Sequence, residues 1–132
     1  MLDASSPTSS GALPAWAFAV DEELRGLTRL PPGWDSYTAR PISADTATAA
    51  TQLLLQVVQD DTPVPSIVPM SRGGIQLEWH LRGMNIEVTV PPLGSSVEVW
   101  YEDLRSGEER EFTIEDDPSA LRDVLAELAR RG

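Results

Sequence analysis

The sequence has no cysteine and no lysine, and it contains a single histidine, His80. Without cysteine, the chain forms no disulfide and offers no thiolate as a nucleophile or metal ligand. Without lysine, it has neither a Schiff-base amine nor the cation of a phosphate-binding loop. These absences remove several common classes of enzyme before any motif is considered.

Basic residues are also few. The chain has ten arginines and 21 acidic residues, which gives a formal net charge of −11. Nucleic-acid phosphates and anionic membrane surfaces are repelled by such a field. We therefore expect a basic protein partner, with no nucleic acid and no membrane as partner. The N-terminal stretch lacks basic residues, and Pro14 interrupts its apolar run. That pattern is unlike a secretory signal, so we expect a cytoplasmic protein.

The 132 residues fit one domain. The Ser- and Pro-rich segment 1–11 is predicted to be a flexible tail, and 12–132 a single α+β domain. Apolar residues recur at helical spacing over 15–29, which predicts a first helix. Ser43 is a typical N-cap, and the apolar face that follows predicts a second helix to about residue 59.

From residue 66 onwards, apolar residues alternate with polar ones, which predicts strands separated by short turns. The predicted strands are 67–69, 75–82, 86–90, 97–102 and 112–114. Pro69 marks the first of them as a sheet edge. Asp117 is predicted to cap a last helix, with Pro118 as its first helical residue. The sequence therefore predicts two N-terminal helices, a five-stranded antiparallel meander and a C-terminal helix packed on one face.

The polar face of this sheet is the first candidate site. With simple registers it carries Gln76, Glu78, His80, Glu87, Thr89, Glu98, Trp100 and Glu102. His80 with Glu78 or Glu87 suits an acid/base pair or a metal site, but a solvated sheet face is the favoured interpretation. We predict no catalytic residue, no metal and no cofactor, since no G-x-S-x-G motif, phosphate loop or calcium loop is present.

Two aromatic segments have alternative interpretations. Trp100 is either an exposed anchor among carboxylates or a core residue beneath a covering helix. In the loop that holds Trp34, Asp35 and Tyr37, a structural role is favoured over a binding role. Trp34 is then expected to plug the core between the helices, and Asp35 to bond backbone amides.

Two segments together resemble a family of small bacterial hypothetical proteins. Residues 30–42 read LPPGWDSYTARPI, and residues 65–79 read PSIVPMSRGGIQLEW. Over about 30–90, they are similar to the family's GWDSYxAxPI and PxxGGIQLEW patterns. Thr38 stands where that family usually has glycine. The family is functionally uncharacterised, so the resemblance implies a small bacterial accessory protein and no catalytic residues.

Three hypotheses about function follow from these features. The leading one is a non-enzymatic acidic interaction module that binds a basic protein surface, as an antitoxin, immunity or accessory protein does. The second is a ligand-binding protein or enzyme built on the Trp34–Tyr37 loop and the strand with Glu78 and His80. The third is a DNA mimic, and a homodimer through the open sheet face is compatible with each. The candidate binding residues are Trp34, Asp35, Tyr37, Glu78, His80, Glu87, Glu98, Trp100 and Glu102.

Overall fold

Three helices and one five-stranded antiparallel sheet form the α+β fold that the sequence predicts. A computed structural model describes residues 13–92 and 95–132, so the predicted tail and part of the turn at 91–94 lie outside it. The elements are α1 (Ala17–Leu27), α2 (Ala44–Val57), β1 (Ser66–Pro69), β2 (Ile75–Leu81), β3 (Met84–Val90), β4 (Val97–Asp103), β5 (Glu109–Ile114) and α3 (Ser119–Arg130).

The helix ends differ from the predicted ones by a few residues. After α1, the backbone N–H groups of residues 28–30 each donate to the carbonyl three positions back, at 3.1–3.2 Å. This tighter turn ends the α-helix before the proline pair that follows. At the start of α2, the Ser43 hydroxyl accepts a hydrogen bond from the Thr46 N–H at 3.1 Å, which confirms the predicted N-cap.

The start of α3 is one residue later than predicted. Asp117 Oδ1 accepts a hydrogen bond from the Ser119 N–H at 2.9 Å, and Pro118 occupies the cap position instead of the first helical position. A capping carboxylate accepts from a backbone N–H two or three residues further on, so Asp117 makes the predicted capping bond although the helix begins at Ser119. The prediction that Pro118 is helical was therefore wrong by one residue.

The sheet has the strand order β1-β2-β3-β4-β5, with every neighbouring pair antiparallel. β1, which ends at Pro69, lies at an edge as predicted. The turn between β2 and β3 consists of Arg82 and Gly83, whose φ angles are 55° and 76°. Two consecutive positive φ angles fit a two-residue hairpin, so β3 begins two residues earlier than predicted.

The core lies between one face of the sheet and the helices. Alternate residues of β2 and β3 are buried there, and Trp79 at the centre is only 1% exposed. The Trp79 indole N–H donates to the Pro63 carbonyl at 2.7 Å, so its one polar group is satisfied. All three helices contribute buried residues to this same cluster. The opposite sheet face is therefore left without a helix in the described part of the chain.

An ion pair ties the end of α3 to the sheet. Arg131 Nη2 lies 2.7 Å from Asp103 Oδ2, and their side chains are 9% and 13% exposed. Arg131 Nη1 also donates to the Arg82 carbonyl at 3.2 Å, in the β2–β3 turn. The hydrogen bond from Arg131 is the main cause that lowers the pKa of Asp103 to about 2. The charged form of Asp103 is thus favoured in the folded chain.

This ion pair predicts a pH-dependent part of the stability. The pKa of Asp103 is lower in the folded than in the unfolded chain, so its contribution is full above the unfolded pKa and is lost as the pH falls towards 2. Asp103→Asn should lower the urea midpoint of unfolding at pH 7. The difference in midpoint between this variant and the wild type should shrink as the pH approaches 2. Asp116→Asn, at an exposed carboxylate, is the matched control. A difference that is the same at both pH values would contradict this account.

Candidate functional site

The eight residues predicted to share the polar sheet face do lie on one face. Across β2 to β5 their cross-strand pairings form three rows, which also include Asn85 and three residues of β5; β1 adds Val68 opposite Gln76 and Ser66 opposite Glu78 at the edge. The first row is Gln76, Thr89, Glu98 and Thr113. The second is Glu78, Glu87, Trp100 and Glu111. The third is His80, Asn85, Glu102 and Glu109. We call these twelve residues the acidic face.

Charge of one sign dominates the acidic face. Six of its twelve residues are glutamates and none is an arginine. Glu78 stands directly opposite Glu87, and Glu102 directly opposite Glu109. Like charges in such cross-strand pairs are destabilising. The free protein therefore carries electrostatic repulsion on this face, which a cationic partner would relieve.

Trp100 lies at the centre of these carboxylates. Its cross-strand partners are Glu87 and Glu111, and its indole N–H donates to Glu109 Oε2 at 2.7 Å. The ring is half-buried and does not belong to the core cluster. Since the helices pack on the other face, the alternative that Trp100 is a core residue beneath a helix is wrong. Part of an aromatic surface is accessible among negative charges.

His80 belongs to a hydrogen-bonded network at one end of the acidic face. Its Nδ1 lies 2.8 Å from Asn85 Oδ1, and Asn85 Nδ2 donates to Glu102 Oε1 at 3.4 Å. Its Nε2 lies 3.1 Å from Glu78 Oε1 and 4.0 Å from Glu87 Oε2. The hydrogen bond with Asn85 raises the pKa of His80 above its usual value; burial opposes this, and Glu78 adds to it.

Glu78, His80 and Glu87 are also the residues that are placed to hold a metal ion. One ligand atom from each lies within 4.8 Å of the other two. The second oxygen of Glu78 accepts a hydrogen bond of 2.6 Å from Gln76 Nε2. The register of β2 and β3 brings Glu87 beside Glu78 and His80, although Glu87 lies nine and seven residues away from them along the chain.

The Trp34–Tyr37 loop is held together by its own hydrogen bonds. Asp35 Oδ1 accepts from the backbone N–H groups of Tyr37 at 2.9 Å and Ala39 at 3.2 Å, which confirms the predicted structural role of this carboxylate. The expected core position of Trp34 was wrong. Its half-buried indole donates across the loop to the Arg40 carbonyl at 3.0 Å, outside the core cluster. Tyr37 is 83% exposed.

The structure does not bring this loop together with His80. The loop lies against the turn before β2, where the Arg40 N–H donates to the Ser71 carbonyl at 2.8 Å. His80 follows Gly74 by six residues along extended chain, which is about 20 Å at the usual rise per strand residue. The two sets of candidate residues therefore lie on separate surfaces.

Some surface features were not anticipated from the sequence. Asn85, Glu109 and Glu111 lie in strands that begin earlier than predicted, so extending the alternation by two or three residues would have found them. A groove of about 320 Å³ also runs between α1 and α2. It is mainly apolar, and Phe18 at its rim is 77% exposed. The helical spacing of apolar residues did not predict that the Phe18 ring would be exposed.

No family model matches the chain, and neither a curated protein nor a solved structure shows significant similarity to it. Over the residues that the structure describes, no helix is both long enough and apolar enough to cross a membrane. The geometry of the acidic face is therefore the basis for assigning a function.

The structural role of Asp35 is testable by mutation. Asp35→Ala leaves two backbone N–H groups without their acceptor, and it should lower the free energy of unfolding by about 1–2 kcal/mol. Thr38→Ala, at an exposed neighbour in the same loop, should change it by less than about 0.5 kcal/mol. Urea unfolding measures both values. Equal stability of Asp35→Ala and the wild type would contradict the role assigned to this carboxylate.

Proposed function

We propose that the protein is a non-enzymatic interaction module of a bacterial cell, and that its acidic face binds a basic protein surface. The observation that carries this proposal is the cluster of six glutamates around a half-exposed Trp100, with no arginine among the twelve residues of the acidic face. Antitoxins, immunity proteins and accessory proteins are the classes in which such a module serves. Cytoplasmic location belongs to the same proposal.

Arginine is the side chain that fits this surface best. A guanidinium group stacks on an indole through cation–π attraction and donates hydrogen bonds to carboxylates around its edge. Trp100 offers the aromatic ring, while Glu98 and Glu111 are exposed neighbours on the same and the adjacent strand. One arginine of the partner thus finds a ring and at least two acceptors within a small area.

The solvent exposure of the glutamates determines how they contribute to the binding of a partner. Exposed ion pairs add little affinity each, but a patch of one sign steers an oppositely charged partner and speeds association. Half-buried Trp100 is then the anchor that slows dissociation. Binding should weaken as salt is added, since screening acts most strongly on exposed charges.

The two alternative functions have less support. A DNA mimic needs two continuous rows of carboxylates, whereas the six glutamates are spread over three rows and Trp100 interrupts the middle one. A ligand site that joins the Trp34–Tyr37 loop to His80 needs these groups to be close together. The loop lies against the turn before β2, and His80 lies about 20 Å along extended chain from Gly74 in that turn.

The proposal predicts that an arginine-rich peptide binds this face. The probe is fluorescently labelled nona-arginine, and its affinity is measured by anisotropy at low and at moderate salt. Glu98→Gln/Glu111→Gln removes two exposed charges beside Trp100 and should weaken binding about tenfold, because two lost ion pairs of about 0.7 kcal/mol each amount to about 1.4 kcal/mol. Trp100→Leu should weaken binding too, with less effect on its salt dependence.

The matched control is Glu22→Gln/Glu23→Gln, which removes the same charge from an exposed part of α1. It should bind the peptide within about twofold of the wild type, since surface charges elsewhere act only through a screened field. An equal loss in the control and in the face variant would mean that net charge alone attracts the peptide. That result would contradict a binding site on the acidic face.

A further inference from the structure

The network around His80 favours a hydrogen on one particular ring nitrogen. Asn85 Nδ2 faces the Glu102 carboxylate, so the amide oxygen must point to His80 Nδ1, 2.8 Å away. An amide oxygen only accepts hydrogen bonds, and Nδ1 must therefore carry a hydrogen and donate it. In the neutral ring this leaves the lone pair on Nε2.

That lone pair faces two carboxylates. Nε2 lies 3.1 Å from Glu78 Oε1 and 4.0 Å from Glu87 Oε2. Three electron-pair donors at these distances repel one another unless a positive centre lies between them. A proton on Nε2 is one such centre, and a metal ion is the other.

Against the expectation from the sequence that the chain binds no metal, we propose that Glu78, His80 and Glu87 bind one divalent transition-metal ion, with Zn²⁺ as the best fit. Zinc bonds to imidazole nitrogen and carboxylate oxygen at about 2.0–2.2 Å, so tetrahedral ligands are about 3.3–3.6 Å apart. The three ligand atoms lie within 4.8 Å of one another, so they reach this spacing by approaching one another by about 1.5 Å at most. One imidazole and two carboxylates suit zinc better than Ca²⁺ or Mg²⁺, which prefer oxygen ligands alone.

Residues around the three ligands hold them in orientation. Gln76 donates to the outer oxygen of Glu78 at 2.6 Å, and Asn85 accepts from the far side of the His80 ring. Metal-binding histidines nearly always make this second hydrogen bond, and ligand carboxylates are commonly bonded as well. The paired strands β2 and β3 fix the spacing of all five residues.

The ligands are also accessible to an ion from solution. The side chains of His80, Glu78 and Glu87 are 42%, 20% and 37% exposed. Three protein ligands leave the fourth zinc position for water or for a donor from another molecule. Because the ion lies on the acidic face, it would also neutralise the repulsion between Glu78 and Glu87.

Isothermal titration of the full chain with ZnCl₂ at pH 7 tests the site. The wild type should bind one ion at this site, and excess MgCl₂ should not displace it. His80→Gln and Glu87→Gln should each weaken zinc binding at least tenfold. Glu98→Gln removes one charge from the same face away from the ligands, and it should bind within twofold of the wild type.

Asn85 positions His80 for the ion without touching the ion itself. Asn85→Ala should weaken zinc binding about tenfold, as loss of a hydrogen bond to a metal-binding histidine commonly does. The ¹⁵N shifts of the imidazole should also show a smaller fraction of the tautomer with hydrogen on Nδ1. In the wild type, zinc should shift the Nε2 resonance far more than the Nδ1 resonance.

Three results would overturn the proposal. They are a wild type that binds no zinc, a His80→Gln variant that binds as tightly as the wild type, and a Glu98→Gln variant as weak as Glu87→Gln. The second and third would indicate adventitious binding to exposed carboxylates. Since only zinc and the isolated chain are used, the outcome is independent of whether the acidic face binds a basic partner.

Discussion

The register of the antiparallel strands is the constraint on which the rest of the structure depends. Side chains alternate between the two faces of a strand, so a shift of one residue would exchange the faces completely. In the observed register, Leu77, Val88 and Val99 lie in one buried row, and the residues between them point the other way. The same pairing that builds the core therefore gathers six glutamates on the opposite face.

The two faces of the sheet have opposite effects on the stability of the fold. Apolar burial beneath the helices stabilises the fold, whereas directly opposed glutamates weaken the sheet. The strands stay paired because the core face determines the register, and the acidic face follows from it. A surface that costs stability without a structural gain is a reasonable place for function.

Strong periodicity explains what the sequence predicted well. All eight elements, the edge position of β1 and the shared polar face follow from helical spacing, alternation and turn residues. Predicted boundaries failed where a hydrogen bond or a turn decides the end of an element. β3 began early because Arg82 adopts a positive φ, which its residue type does not favour. Trp34 was misplaced because an indole is expected to be buried, yet the loop bonds it at the surface.

The network at His80 shows the limit of sequence reasoning more clearly. The Glu-x-His pair on β2 is visible in the sequence, but Glu87 and Asn85 join it only through the pairing with β3. The choice of tautomer depends further on Glu102 from β4. The network at His80 depends on three strands in register and on two side-chain rotamers. Residue spacing in the sequence therefore does not predict it.

The central claim is that the acidic face is a binding surface. The most direct measurement is a ¹H–¹⁵N NMR titration of the protein with nona-arginine. We predict that chemical-shift changes concentrate at Trp100, including its indole N–H, and at neighbouring residues of β3, β4 and β5. Changes that concentrate instead at the α1–α2 groove near Phe18, or that spread evenly over all acidic residues, would contradict the claim.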